Sequence, residues 1–218
     1  MLYRVDGIVK AVRATLDTNL KDAALSRLND PDALSVAEII YSRLPEAVRT
    51  VVMNAPLRMI GTGINFGNTI HWYQQEGHGG GYVLLPRDFL RLVAFQMSDW
   101  PLAVNTPVSV TSAEYITQVS RFPGSRGCPE HPITAIINLP EGMALEFYSC
   151  MGGKGTHVRQ ASYIPYPRIL KKRIAIPEEL REAAITYAAY LTAVTTQQME
   201  LADKLLQNAK TLINDTTV

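Results

Sequence analysis

The sequence has little cysteine: two residues, Cys128 and Cys150, in 218. Two thiols are too few for a disulfide framework, which excludes a stapled secreted mini-domain and leads us to expect a reducing compartment. Long apolar runs are also missing, since no stretch approaches the roughly 20 residues that cross a bilayer as a helix. Met1-Leu2-Tyr3-Arg4 lacks the apolar core of a signal peptide. The expected setting is therefore soluble and cytosolic, with no membrane partner. Nor is there an excess of charge: 21 Lys and Arg stand against 20 Asp and Glu, for a formal net charge of +1. A dedicated nucleic-acid binder carries a marked basic excess on one face. Near-neutrality argues against nucleic acid as the main partner, leaves room for a local basic patch, and favours self-association.

Catalytic signatures are absent as well. There is no Gly-x-Ser-x-Gly elbow and no His-Glu-x-x-His helix, and the acidic residues are scattered without obvious pairs. Three stretches come nearest to chemistry. Gly77-His78-Gly79-Gly80-Gly81 has the backbone freedom of a phosphate cradle, but a strand pattern follows where a cradle needs a helix N-terminus, a lysine and a hydroxyl. A flexible loop or hairpin is expected there. In Gly152-Gly153-Lys154-Gly155-Thr156 the lysine and hydroxyl are separated by Gly155, and Tyr148 stands five positions before Gly153 where a nucleotide loop has glycine. A mobile hairpin tip is expected instead. The third set is Cys128, His131, Cys150 and His157. Cys128-x-x-His131 has a spacing zinc accepts, yet the second pair is irregular and Pro129 and Pro132 crowd the first. Buried thiols and surface imidazoles are expected, with no metal or other cofactor. One basic run remains, Arg168, Lys171, Lys172 and Arg173. It reads as a solvated connector, a contact with an acidic neighbour, or a site that neutralises DNA phosphates.

What is present is patterning. Ile8, Val9, Val12 and Leu16 recur at helical spacing from Val5 onward. Asp17 to Leu34 is polar, with a turn signal at Asn29-Asp30-Pro31-Asp32. Ser35 and Glu38 form a capping box before the stripe Ile40, Leu44, Ala47, Val48, Val51 and Val52, which ends at Ala55-Pro56. Pro45 inside that stripe predicts a kink or a restart. Between Gly61 and Pro167 short β-prone runs lie among glycines and prolines: Thr69–Gln74, Gly81–Leu85, Leu90–Met97, Ile133–Asn138, Ala144–Cys150 and Ala161–Ile164. Pro140-Glu141-Gly142 is a hairpin turn between the fourth and fifth. No helix-length periodic segment interrupts them, so an antiparallel sheet or small sandwich is expected rather than βαβ units. Helix returns at Pro177 with Glu178 and Glu179 in its first turn. Leu180, Ala184, Tyr187, Leu191 and Val194 make one stripe, and Met199, Ala202, Leu205, Leu206, Ala209 and Leu212 another. Thr195 with Gln198 suggests a second capping box between them. Two antiparallel helices or one bent helix both fit. The fold class is α+β: a helical N-terminal arm (1–60), a central antiparallel β region with long loops (61–176) and a C-terminal α-helical hairpin (177–218), expected to form a single structural unit.

Particular residues also carry a family resemblance. Leu85-Pro86-Arg87-Asp88-Phe89-Leu90-Arg91-Leu92-Val93 leads to Met97, Asp99-Trp100 and Val104, then to Tyr115, Gln118, Arg126-Gly127-x-Pro129, Pro132 and Ile133. Ala183-Ala184-Ile185-x-Tyr187-Ala188-Ala189-Tyr190 follows near the end, with Ala202-Asp203-Lys204. This series resembles the ring (head–tail adaptor) proteins of crAss-like short-tailed phages, which are related in architecture to tail tubular proteins. The likeness runs from about Ile39 to Leu212; Asp17 to Leu34 has no counterpart in it. Physically the same residues are structural, because Phe89, Leu92, Phe95 and Trp100 each contribute roughly 1.5–3 kcal/mol when buried in a core or interface.

The resemblance implies a structural virion protein of the neck, assembled in the host cytoplasm and not an enzyme. It would form a homo-oligomeric ring of about twelve copies through heterologous interfaces. Its partners would be the portal protein, other neck and tail ring proteins, and DNA passing through the channel without sequence-specific contact. Under that reading the interface candidates are Gly77, His78, Gly79, Gly80 and Gly81 together with Gly152, Gly153, Lys154 and Gly155, because glycine-rich tips reorder on assembly. A cytosolic adaptor binding through its C-terminal helices and a small metal- or nucleotide-dependent enzyme are the alternatives.

Overall fold

The chain enters as β1 (Leu2–Arg4) and passes directly into α1 (Val5–Thr15), whose apolar spacing buries Val5, Ile8 and Val12. The structure, a computed structural model, describes residues 1–16, 34–67, 69–73, 79–120, 122, 128–151 and 155–214; the polar segment ahead of Ser35 lies almost wholly outside them. Helix α2 (Val36–Asn54) opens on the expected capping box. The Glu38 N–H donates to Ser35 Oγ at 3.3 Å, and the Ser35 N–H donates to Glu38 Oε2 at 2.8 Å. Pro45 does not restart it; α2 is one helix through that position. An interior proline costs about 3 kcal/mol, whereas Ile39, Ile40, Leu44, Val48, Val51 and Val52 are all buried and each contributes roughly 1.5–3 kcal/mol. Packing outweighs the lost backbone bond.

After the single turn α3 (Leu57–Ile60) the chain leaves for a β region described below. It returns to pair a later strand, Arg173–Ala175, antiparallel with β1, Leu2 lying opposite Ala175 and Arg4 opposite Arg173. A 3-10 turn at Glu178–Leu180 follows Pro177 and leads into α5 (Arg181–Thr195) and then α6 (Met199–Asn214), α4 (Ala113–Gln118) lying in the β region. The last two helices are joined by residues 196–198 and pack on each other, forming the expected antiparallel hairpin. Helix α5 also packs on α1 and α2. It buries Ala183, Ala184, Ile185, Thr186, Ala188, Ala189, Thr192 and Ala193, small side chains that let three helices approach it. The sequence pattern puts Tyr187, Leu191 and Val194 on its apolar stripe, but Val194 is exposed and the other two are half-buried. A helix contacted on three sides has no single stripe to find.

The expected second capping box does not form. Thr195 is the last residue of α5, and its hydroxyl donates back to the Leu191 carbonyl at 2.8 Å. The chain instead closes α5 with a Schellman motif, in which Gln198 N–H bonds the Ala193 carbonyl at 2.9 Å and Gln197 N–H bonds that of Val194 at 3.1 Å. Gln197 takes the left-handed position, φ +59°, where glycine is the usual residue. Gln197→Gly is therefore expected to stabilise the chain by about 1 kcal/mol, read as a higher denaturant midpoint at unchanged slope. A lower midpoint would mean that the glutamine side chain makes contacts worth more than the backbone strain it causes.

The β region holds β2 (Ile64–Asn65), β3 (His71–Trp72), β4 (Gly79–Leu84), β5 (Phe89–Met97), β6 (Thr134–Leu139), β7 (Gly142–Cys150) and β8 (Val158–Pro165). The strand paired with β1 is β9. Two antiparallel sheets result, a four-stranded one in the order β3-β4-β7-β6 and a three-stranded one in the order β2-β8-β5. Val83, Leu85, Leu145 and Phe147 from the first meet Phe89, Leu92, Phe95, Met97, Ala161 and Tyr163 from the second, with Phe66 and Trp100 completing the core. This is a small sandwich. The β6–β7 hairpin closes as expected on Pro140-Glu141, with Leu139 opposite Gly142 and Gly142 at φ +136°. The long connection from β5 to β6 carries the unanticipated helix α4 (Ala113–Gln118), capped by Ser112, whose Oγ accepts from the Tyr115 N–H at 3.2 Å.

The chain thus divides into two compact units, Met1–Gly61 with Tyr166–Val218, and Thr62–Pro165. The expectation of a single unit built from three successive segments differs from this: the β1–β9 pairing joins residues 166–176 to the helices, and both helical segments fall in one compact unit. Among the described residues no helix is long and apolar enough to cross a membrane.

Candidate functional site

The residues singled out in the sequence do not gather in one place. Gly79, Gly80 and Gly81 are not a loop: they form the start of β4 and are buried. A Cβ on Gly80 would stand 2.7 Å from the Tyr148 ring, and one on Gly81 would stand 2.6 Å from the His71 carbonyl oxygen. Glycine is present because strand and ring approach closely, so these residues offer no surface to a neighbour. Gly77 and His78 lie outside the described residues, as do Gly152, Gly153 and Lys154. Gly155 is exposed at φ +115° between β7 and β8. Those strands belong to different sheets, so they do not form a hairpin.

Cys150 is buried in the sandwich core and Cys128 is half-buried. Burial, and then the nearby Asp99 carboxylate, push the Cys150 thiol well up from its ordinary value. His131 and His157 are exposed, His157 Nδ1 lying 2.8 Å from the Gly155 carbonyl oxygen. Among the described residues no three His, Cys, Asp or Glu side chains come together in a way that could hold a metal ion.

The basic run has more definite geometry. Arg168, Lys171, Lys172 and Arg173 are all exposed. Leu170 and Arg173 exchange two backbone hydrogen bonds of 2.8 and 2.9 Å, making a tight turn with Lys171 at φ +49° and Lys172 at φ +59°. Both central residues are left-handed, the geometry that favours Asn-Gly, and each costs roughly 1 kcal/mol when it carries a side chain.

A different cluster, which the sequence did not reveal, is the most organised polar group in the sandwich. Glu146 lies on the face of β7 opposite the core residues Leu145 and Phe147, and only 5% of it is exposed. No cation neutralises it among the described ion pairs. Instead Tyr73 and Tyr148 donate to Oε1, the latter at 3.0 Å, and Tyr115 donates to Oε2. Tyr73 follows β3, Tyr115 sits on α4 and Tyr148 is two residues along β7, so the carboxylate ties three parts of the chain together. Burial, and then hydrogen bonding to the carboxylate, push the Tyr115 phenol up to about 12. Tyr73 and Tyr148 are pushed up in the same direction, again with burial as the first cause. At neutral pH all three hydroxyls are donors, and both carboxylate oxygens are occupied. The rings pack as well: Tyr73 lies 5.7 Å from Tyr148, and Tyr82 stacks on His71 at 4.8 Å. Gly80 leaves room for this cluster, which gives that glycine its purpose.

No family model matches the chain, and no curated protein matches it.

Chemically, the Glu146 cluster is a clamp. Three of its roughly four acceptor sites are taken by phenols, and through Tyr115 it fixes the β5–β6 connection against the sheet. That connection exposes Leu102, Val110, Ile116 and Phe122, at 68, 43, 61 and 76%. On α4 the polar and apolar roles are inverted relative to a buried helix, with Tyr115 and Gln118 turned inward and Ile116 outward. A signal for this existed in the sequence, since β7 alternates Leu145 and Phe147 with Glu146 and Tyr148, but nothing local named the partners.

Proposed function

We propose that this chain is a structural subunit of a phage neck, forming a ring below the portal that surrounds the DNA channel and links portal to tail. The observation that carries the reading is the residue series from Leu85 to Ile133, and again from Ala183 to Lys204, that resembles the ring proteins of crAss-like phages. The geometry supports it in two ways. The most organised polar cluster is spent on holding a connection in place, not on a reacting ligand. The connection so held displays large apolar side chains in one segment, which is the composition of a contact surface more than of a solvated loop. Lateral contact between copies would run through Leu102, Ile116 and Phe122 in a heterologous interface. The protein would reside in the virion.

Mass photometry and negative-stain electron microscopy of the purified chain, alone and with portal protein, test this. Closed rings of about twelve copies are expected, and Ile116→Asp with Phe122→Asp should return the chain to monomers while leaving its thermal midpoint within a few degrees. A chain that stays monomeric under both conditions overturns the reading. Saturable one-to-one binding to a host protein without self-association would replace it with a cytosolic adaptor.

A further inference from the structure

Lysine is an unfavourable choice at the tip of the β1–β9 ribbon, and it is used twice. Lys171 and Lys172 occupy the two left-handed positions of a two-residue turn, at φ +49° and +59°, where Asn-Gly would close the same turn without strain. A second cost lies two steps away. Arg4 stands directly opposite Arg173 in the ribbon register, and like charges in that position repel. Arg168 is exposed on the approach to the turn. The carboxylate described beside these cations is Asp6, 3.5 Å from Arg4 and itself well exposed. A chain of net charge +1 has therefore gathered Arg4, Arg168, Lys171, Lys172 and Arg173 in one place, against both backbone and electrostatic preference. An anion from outside the chain offsets both costs.

We propose that this ribbon binds the phosphate backbone of double-stranded nucleic acid. Two features favour phosphate over an acidic protein. The strained positions are both lysine, a residue depleted in protein–protein interfaces, and its compact ammonium suits phosphate oxygens as a point charge. One other favours a duplex over a single strand. Single-strand sites stack bases on open aromatic faces, whereas each ring near the ribbon already carries an arginine over one face, Tyr3 being half-buried and Tyr166 exposed. The Arg181 guanidinium lies 5.6 Å from the centre of Tyr3, and that of Arg49 lies 5.2 Å from the centre of Tyr166. The named cations meet phosphates as charges, so the contact is independent of base sequence. The proposal stands apart from the ring reading, because a chain that never assembles still carries the ribbon.

Fluorescence anisotropy with the full chain and a labelled duplex of about 20 base pairs measures it, with log K followed against log salt over a range where contacts to phosphates dominate. Binding should be independent of base sequence, with a slope of about −4.5 if all the cations named contact phosphates. Lys171→Asn with Lys172→Gly keeps the turn while removing two charges and the strain. It should raise the thermal midpoint, weaken duplex binding at low salt about tenfold or more, and make the slope shallower by about 2. Arg168→Gln, which lies outside the turn, should make it shallower by about 1 and leave the fold unchanged. A double variant that gains stability and binds duplex as before would overturn the proposal, leaving the lysines as solvated charge. Tighter binding to poly-glutamate, or to a single-stranded oligonucleotide of equal length, would overturn the assignment to duplex phosphate. Because the readout is affinity for free duplex, failure here leaves the oligomer measurement untouched.

Discussion

Glu146→Ala should lower stability by roughly 3–5 kcal/mol, an effect set by hydrogen bonds to a buried charge at about 1.5–3 kcal/mol each. Three phenols donate to this carboxylate, and the simple sum would be larger. All three rings are half-buried, so water reaches the released hydroxyls and recovers part of the loss. Glu146→Gln keeps the side-chain length and one acceptor oxygen but puts an amide donor against a phenol donor, so it should fall between wild type and the alanine variant. The alkaline limb gives an independent check. Tyr115 is raised to about 12 in the folded chain, and Tyr73 and Tyr148 are raised too. The unfolded chain gives up these protons first, near the ordinary tyrosine value of about 10. Stability present below that pH is therefore lost as pH rises from about 10 through the folded values. Solvent screening of the half-exposed rings moderates the slope. In Glu146→Ala the carboxylate contribution to the shift is gone, and the loss above pH 10 should be shallower. Urea midpoints at pH 8 and pH 11 would measure both effects; parallel pH dependence in the two proteins would show that the carboxylate does not hold the phenol protons.

What was legible in the sequence depended on how local its cause was. The Ser35–Glu38 box spans three residues and appears as read. The β6–β7 hairpin follows from Pro140-Glu141-Gly142 and the alternation on either side. Strands β1 and β9 have three residues each and pair across nearly the whole chain, so neither has a pattern of its own to find. Gly80 was hidden because glycine weakens a strand on average, whereas here it is demanded by the Tyr148 ring, as Gly81 is by the His71 carbonyl. The Glu146 cluster was hidden for a related reason: Tyr73 and Tyr115 lie 73 and 31 residues away from the carboxylate they serve. At Pro45, of the kink or restart that the local rule predicts, the restart does not occur, because a long buried face carries α2 through the proline. Lys171 and Lys172 were read only as charge. Their left-handed backbone, which turns a charge run into a statement about selection, is set by the Leu170–Arg173 pairing and is invisible to composition.

Phe147→Ala should cost about 3–5 kcal/mol, the range for deleting a buried ring without collapse of the space it leaves. The ring is fully buried. It packs 5.7 Å from Phe95, 6.1 Å from Trp100 and 5.8 Å from Trp72, so one truncation breaks contacts to both sheets and to the turn beyond β5. Its strand neighbours Glu146 and Tyr148 carry the clamp on the opposite face of β7. Any shift of that strand into the cavity would lengthen the phenol bonds as well, so Phe147→Ala and Glu146→Ala should be non-additive in a double-mutant cycle, with a coupling of about 0.5–3 kcal/mol. Phe147→Leu retains much of the apolar volume and should lose about 1–2 kcal/mol. A substitution at exposed Ile116 provides the contrast. It should change stability by less than about 0.5 kcal/mol and act on self-association alone. If Phe147→Ala were mild, β7 would not be the centre of the sandwich; if Ile116→Asp were as damaging as Phe147→Ala, α4 would belong to the core and the surface assigned to neighbouring copies would have to be sought elsewhere.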